Sequence, residues 1–216
     1  MAAFLNHGMP AHLRRAVFLD KDGTLVHDVP YNIDPSRVSL TPNAINGLRL
    51  LRDAGYLLVV VTNQAGIAKG FFSARDWAHM QAHLAGLFAR QGIRISGFYC
   101  CPHHPQGSVK QFATHCACRK PSPGMLLQAA SEHGIDLRNS WMIGDILHDV
   151  EAGSRAGCRT VLIDNGNETE WEMTSRRIPD VLASDLLEAA QAILAEDRNS
   201  VAPGSSILRM DNPMTE

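Results

Sequence analysis

Five short apolar runs punctuate this chain: "AVFLD" (16–20), "LLVVVT" (57–62), "ISGFYC" (95–100), "WMIGD" (141–145) and "RTVLID" (159–164). The second and fifth are dense in Val, Leu and Ile with little alternation, as expected of strands covered on both faces. Between the runs the apolar spacing changes to three and four. "TPNAINGLRLLRDAG" carries Ile45, Leu48 and Leu51 at helical spacing, with Pro42 near its start and Gly55 at its end. "SARDWAHMQAHLAGLFARQG" opens with Ser73 and Asp76 in capping-box spacing and closes at Gly92. "SPGMLLQAASEHG", with Ser122 as cap and Pro123 as first helical residue, "DVEAGSRAG" and "SDLLEAAQAILAE" predict three more helices. Strands alternating with helices predict an α/β fold built on a doubly wound parallel sheet. The expected organisation is an N-terminal extension over 1–15, one domain over 16–198 and a flexible tail over 199–216.

Composition narrows the function classes. The chain has 216 residues, is 45% hydrophobic and carries a formal net charge of -2. It has no Lys/Arg run, which argues against a sequence-independent grip on nucleic acid. No apolar stretch reaches the roughly 18 residues of a membrane helix, and the N-terminus lacks the apolar core of an export signal. A cytoplasmic monomer with no nucleic-acid or membrane partner is expected.

Ligands in such sheets bind beyond the carboxyl ends of the strands. The first strand ends in Asp20, the second in Thr62 and Asn63, the fourth in Gly144-Asp145. "DKDGT" sets Asp20 and Asp22 two apart, so both project to one side of an extended chain. With Asp145 they make a carboxylate cluster that a cation would relieve. Oxygen ligands suit Mg²⁺. Asp149, one helical turn beyond Asp145, either supports the metal or sits at a helix front, where the dipole favours negative charge.

"CPHHPQGSVKQFATHCACRKP" (101–121) poses a second question. Cys101, His103, Cys116 and Cys118 form two short chelating pairs joined by a loop, which suits tetrahedral Zn²⁺. His104 and His115 are alternative ligands on spacing alone. A disulfide is the competing reading, weakened by the odd count of five cysteines. Cys100 is expected as the last residue of its strand, pointing to the core. Four protein ligands leave zinc no open position, so its role would be structural.

"DKDGT", the "VVVTN" strand end, "RKPSPG" and "GDILHD", in this order, resemble the four motifs of the haloacid dehalogenase superfamily of phosphatases. The resemblance implies the Rossmann-like fold of that superfamily and a Mg²⁺-dependent phosphatase domain. It implies Asp20 as nucleophile and Asp22 as general acid and base, with Mg²⁺ on Asp20, the backbone carbonyl of Asp22, and Asp145. Thr62 and the Asn63 backbone would bind phosphoryl oxygens, and Lys120 would pair with them and with Asp20. "YCCPHHPQG" followed by "CACRKPSPGM" narrows the resemblance to the heptose 1,7-bisphosphate 7-phosphatases, with a related zinc loop in histidinol-phosphate phosphatases. That subgroup implies zinc on Cys101, His103, Cys116 and Cys118, substrate recognition by Arg119, and a phosphorylated sugar as partner. "HDVPYNIDP" and "TNQAGIAKGFF" match its pocket segments at Asp28, Tyr31, Asn63 and Gln64. One position departs: enterobacterial members carry a lysine directly after the Asp of the fourth motif, and Ile146 stands here, with His148 two residues on. A polynucleotide 3′-phosphatase and a catalytically silent zinc-binding module are the alternatives outside sugar chemistry. The 39 residues between Asp22 and Thr62 and the 57 between Thr62 and Lys120 leave no room for a large cap domain.

Overall fold

The computed structural model describes residues 13–201. Most of the expected N-terminal extension and tail, residues 1–12 and 202–216, lies outside them. Six parallel strands form one sheet: β1 (Ala16–Leu19), β2 (Leu57–Asn63), β3 (Gly97–Cys101), β4 (Trp141–Gly144), β5 (Arg159–Ile163) and β6 (Val181–Ala183), in the order β3-β2-β1-β4-β5-β6. The helices are α1 (Ala44–Asp53), α2 (Gly66–Lys69), α3 (Ala74–Arg90), α4 (Gly124–His133), α5 (Leu147–Ala156) and α6 (Leu186–Val201).

Strand alternation divides the core in two. Val17, Leu19, Leu58, Val60 and Ile143 face α1, α3 and α6 through Leu48, Leu51, Met80, Leu84, Phe88 and Ile193. Ala16, Phe18, Val59, Val61 and Met142 face α4 and α5 through Met125, Leu126, Ala129 and Ala152. Strands covered on both faces explain the unbroken apolar runs that predicted them. The doubly wound α/β expectation holds. The strand order reverses between β1 and β4, so the chain ends of these two strands open a crevice at the sheet's carboxyl edge.

Several local expectations shift. β3 begins at Gly97 and ends at Cys101, not Cys100. Cys101 is fully buried while Cys100 is only partly so, because the strand continues straight into the Cys/His loop. The cap of α4 is Pro123, with Gly124 as the first helical residue, because Ser122 donates its N–H back to the Arg119 carbonyl in a turn. The capping box at Ser73 and Asp76 is present. Between Asp22 and Thr62 lie a 3-10 turn and α1; between Thr62 and Lys120 lie α2, α3, β3 and the Cys/His loop. No lid domain is inserted among the described residues. No helix there is long and apolar enough to cross a membrane.

Candidate active site

Asp20 follows β1 and Asp145 follows β4, so the strand reversal sets their carboxylates side by side; Asp149 joins them from the first turn of α5. All three are buried, with ligand oxygens within 4.8 Å of one another. Lys120 enters this cluster from beyond the Cys/His loop. Its ammonium is 2.7 Å from Asp20 Oδ1 and 2.6 Å from Asp149 Oδ1, and it donates to the Val61 carbonyl at 3.0 Å. Burial opposes its charge, but the Asp149 and Asp20 carboxylates outweigh that and hold it protonated above the usual lysine range. Asp149 Oδ2 also accepts from the Ile146 N–H at 3.4 Å, so this carboxylate serves both the buried lysine and the helix front.

Among the described residues no cation forms an ion pair with Asp145. Its partners are Asn167 Nδ2 at 2.8 Å and Thr24 Oγ1 at 3.3 Å. Burial, then the Asp20 and Asp149 charges, push its carboxyl up to about 8. Three buried carboxylates against one ammonium are short of positive charge, and the deficit falls at Asp145. This oxygen donor set fits a hard divalent cation, which Asp20 and Asp145 would hold. Gly23 makes the cluster possible. It holds φ +75°, and a Cβ there would lie 1.9 Å from Asp145 Oδ2. Gly144 is equally constrained, since a Cβ would meet the Asp149 side chain at 2.2 Å.

Asp22 stands apart from that trio, two residues along the chain, with 29% of its side chain exposed. Lys21 Nζ lies 2.7 Å from Asp22 Oδ1 and 5.5 Å from the centre of the Trp77 ring. Gln64 Nε2 donates to Thr62 Oγ1 at 2.9 Å and to Asp22 Oδ2 at 3.4 Å. Burial raises the Asp22 carboxyl, and the Lys21 charge works against the rise. The polar end of the Asn63 side chain is engaged by the backbone of Lys120. The two exchange a pair of 3.1 Å hydrogen bonds, clamping the end of β2 to the residue that supplies the lysine.

Asp20, Asp22, Asp28, Thr62, Asn63, Arg119, Lys120, Asp145, Ile146, His148 and Asn167 line one cavity of about 230 Å³. A second, of about 260 Å³, shares Asp22, Asp28, Asn63 and Arg119 and continues to Tyr31 and Gln64. The expected residues Asp20, Asp22, Asp28, Tyr31, Thr62, Asn63, Gln64, Arg119, Lys120 and Asp145 thus line one continuous groove, while Asp149 lies buried beneath it against Lys120. Sequence reasoning missed Lys21, Thr24 and Asn167. Thr24 lies inside "DKDGT" itself, and Asn167 lies just beyond β5, where the strand-end rule also applied.

Cys101, His103, Cys116 and Cys118 converge beside this groove with ligand atoms within 4.8 Å of one another. The Sγ–Sγ separations are 3.5 Å (Cys101–Cys116), 3.3 Å (Cys101–Cys118) and 3.2 Å (Cys116–Cys118). His103 Nδ1 is 3.3 Å from Cys118 Sγ. A tetrahedral zinc with Zn–S near 2.3 Å spaces its sulfurs about 3.8 Å apart, so the quartet fits with a few tenths of an ångström of expansion. No disulfide joins the five cysteines. His104 and His115 fall outside the quartet.

The sequence profile of the HAD-hydrolase-like family matches residues 117–189. The D-glycero-beta-D-manno-heptose-1,7-bisphosphate 7-phosphatase of Yersinia pestis is 38% identical over 181 residues, spanning 83% of this chain and 95% of that protein. The D-glycero-alpha-D-manno-heptose-1,7-bisphosphate 7-phosphatase of Photorhabdus laumondii is 37% identical over 156 residues, 72% of this chain and 85% of that one. The D,D-heptose 1,7-bisphosphate phosphatase structure from B. bronchiseptica, complexed with magnesium and phosphate, superposes with a TM-score of 0.68 at 26% identity, covering 84% of this chain and 99% of its own. The chain belongs to the haloacid dehalogenase-like hydrolases. Within them it is a phosphatase, similar over most of its length to the heptose 1,7-bisphosphate 7-phosphatases.

Proposed function

We propose that this phosphatase removes the 7-phosphate of D-glycero-D-manno-heptose 1,7-bisphosphate through an aspartyl-phosphate on Asp20, with Mg²⁺ in the active site and Zn²⁺ in the Cys/His loop. The observation that carries the reading is the set of buried carboxylates around Lys120, with Asp22 set apart on the open side. Asp20, held by Lys120, is oriented to attack phosphorus, forming one O–P bond as the bond to the sugar oxygen breaks. Asp22 lies where the two cavities join. There it gives its proton to the departing C7 oxygen, and then takes one from the water that cleaves the aspartyl-phosphate. Its raised carboxyl favours the protonated form this first step needs.

Thr62 Oγ1 already accepts from Gln64, which leaves the hydroxyl proton free for a phosphoryl oxygen. Lys120 and the Asn63 N–H complete the phosphoryl cradle. Mg²⁺ on Asp20, the Asp22 carbonyl and Asp145 would supply the charge that offsets repulsion between carboxylate and phosphate. Arg119, Asp28, Tyr31 and Gln64 line the path taken by the sugar. The unit is read as a monomeric catalytic domain over 16–198 acting in the cytoplasm. Relatives are named for the beta and for the alpha anomer, and both anomers are substrates to assay.

The test is phosphate release with Mg²⁺ from both heptose bisphosphate anomers, histidinol phosphate and a 3′-phosphorylated oligonucleotide, with the remaining sugar phosphate assigned by ³¹P NMR. Heptose bisphosphate should be turned over at least about a hundredfold faster by kcat/KM, roughly 2.7 kcal/mol of discrimination, leaving the 1-phosphate. Preference for either other ester, or loss of the 1-phosphate, overturns the reading.

A further inference from the structure

The groove has one exit suited to a second anion. Beyond Asp22 it runs toward Tyr31, and two cations stand there without carboxylate partners among the described residues. Arg119 lines both cavities; its guanidinium donates to the His103 carbonyl at 3.4 Å. Lys69, the last residue of α2, points its ammonium at Tyr31 Oη, 2.6 Å away, and lies 5.1 Å from the centre of that ring. Tyr31 is held in turn against Phe71, ring centres 4.7 Å apart. A lysine with access to solvent ordinarily extends into it or finds an acid. This one is parked on a phenol at the rim of the leaving-group cavity.

The opposite exit has the wrong charge. Past Ile146 and His148 the groove meets Glu168, Glu170 and Glu172. Arg177, the cation there, is spent on Glu151 at 2.7 Å and lies 3.7 Å from Glu172. A remote phosphate entering on that side would face carboxylates, and Ile146 offers it no charge. The Lys69 side presents two cations that no described carboxylate pairs with, and the Cys/His loop braces both. Arg119 directly follows Cys118. Ser108 Oγ donates to the Lys69 carbonyl at 2.9 Å, and the Val109 N–H donates to the Ala68 carbonyl at 2.9 Å. Gly107 packs so closely that a Cβ would lie 2.7 Å from Ala68 O.

We propose that Lys69 is a specificity residue that reads the remote phosphate of a doubly phosphorylated substrate, leaving the Tyr31 hydroxyl to pair with that phosphate opposite Arg119. The proposal rests on the sugar-bisphosphate reading above and adds the group that separates bisphosphate from monophosphate. The Cys/His loop then serves as the common brace of both anion-binding side chains.

The experiment compares KM for heptose 1,7-bisphosphate and for heptose 7-phosphate in the wild type, Lys69→Met and Lys69→Arg. A charge-assisted contact to phosphate predicts that Lys69→Met raises KM for the bisphosphate by about tenfold or more. KM for the 7-phosphate and kcat for both should stay within about twofold, and Lys69→Arg should restore most of the difference. A general loss of loop structure would move both substrates together. An equal shift for both, or no shift for either, overturns the proposal. Should the wild type hydrolyse p-nitrophenyl phosphate but neither heptose ester, the sugar reading has failed on its own. The same ratio is then read with fructose 1,6-bisphosphate against fructose 6-phosphate, and an unchanged ratio in Lys69→Met overturns the role of Lys69 separately.

Discussion

Replacing Lys120 by Met tests the electrostatic design of the site without emptying its core. Methionine keeps nearly the same unbranched length, and Lys120 is only 2% exposed, so packing is largely preserved. What is lost is the ammonium between Asp20 and Asp149. Removing one partner of a buried ion pair costs about 3–5 kcal/mol, because the remaining charge stays desolvated. The pH dependence makes this more specific. In the folded chain burial pushes the Asp149 carboxyl up to about 7, against the downward pull of Lys120. Without that pull it rises further. A carboxyl whose folded pKa exceeds its unfolded value of about 3.9 makes stability fall as pH rises, until the folded pKa is passed. That fall ends near pH 7 in the wild type and continues in Lys120→Met. The stability gap should therefore widen above pH 7 by about 1.4 kcal/mol per pH unit until the variant's own pKa is reached. Urea unfolding of both proteins near pH 6 and pH 8.5, without Mg²⁺ and with zinc retained, reads this directly. A deficit equal at the two pH values, or one within about 0.5 kcal/mol of zero at both, would refute the assignment of Lys120 as the counter-charge of the buried carboxylates.

Two further outcomes follow from the geometry. Gly23→Ala places a Cβ 1.9 Å from Asp145 Oδ2 in a left-handed backbone, so kcat/KM should fall at least about a hundredfold, roughly 2.7 kcal/mol; wild-type turnover with an intact fold would contradict the packing around Asp145. Cys116→Ser should lower bound zinc from about one per chain, reduce the melting temperature and raise KM through Arg119, whereas a zinc-free variant with unchanged stability and KM would mean the loop holds its shape without metal.

The strands and the strand-end acids were legible because both signals are local. Unbroken apolar runs mark β1, β2, β4 and β5, and the residues at the carboxyl ends of β1, β2 and β4 line the groove. The Cys/His quartet was legible for the same reason, since chelating pairs are written in short spacing. β6 was missed: only three residues long, with Leu182 60% exposed, it has no apolar run to show. α2 is four residues long and equally silent. The role of the Asn63 side chain was also hidden, since its partner is the Lys120 backbone 57 positions away. The Lys21–Asp22 pair is local, but its placement against Trp77 depends on α3 packing over the sheet. Asp149 was legible as an acid at a helix front, but its ion pair with Lys120, drawn in from beyond the Cys/His loop, was not. What sequence conceals here is tertiary: which polar group finds which partner across the crevice.

Trapping the covalent intermediate tests the role of Asp20 most directly. Protein turning over heptose bisphosphate with Mg²⁺ is quenched with borohydride, which reduces an aspartyl-phosphate to homoserine, and the peptide containing residue 20 is weighed. The reduced product is expected at Asp20 alone, dependent on substrate and absent in Asp20→Asn. Steady turnover with no modification at Asp20, or with reduction at Asp22 or Asp145 instead, would contradict it.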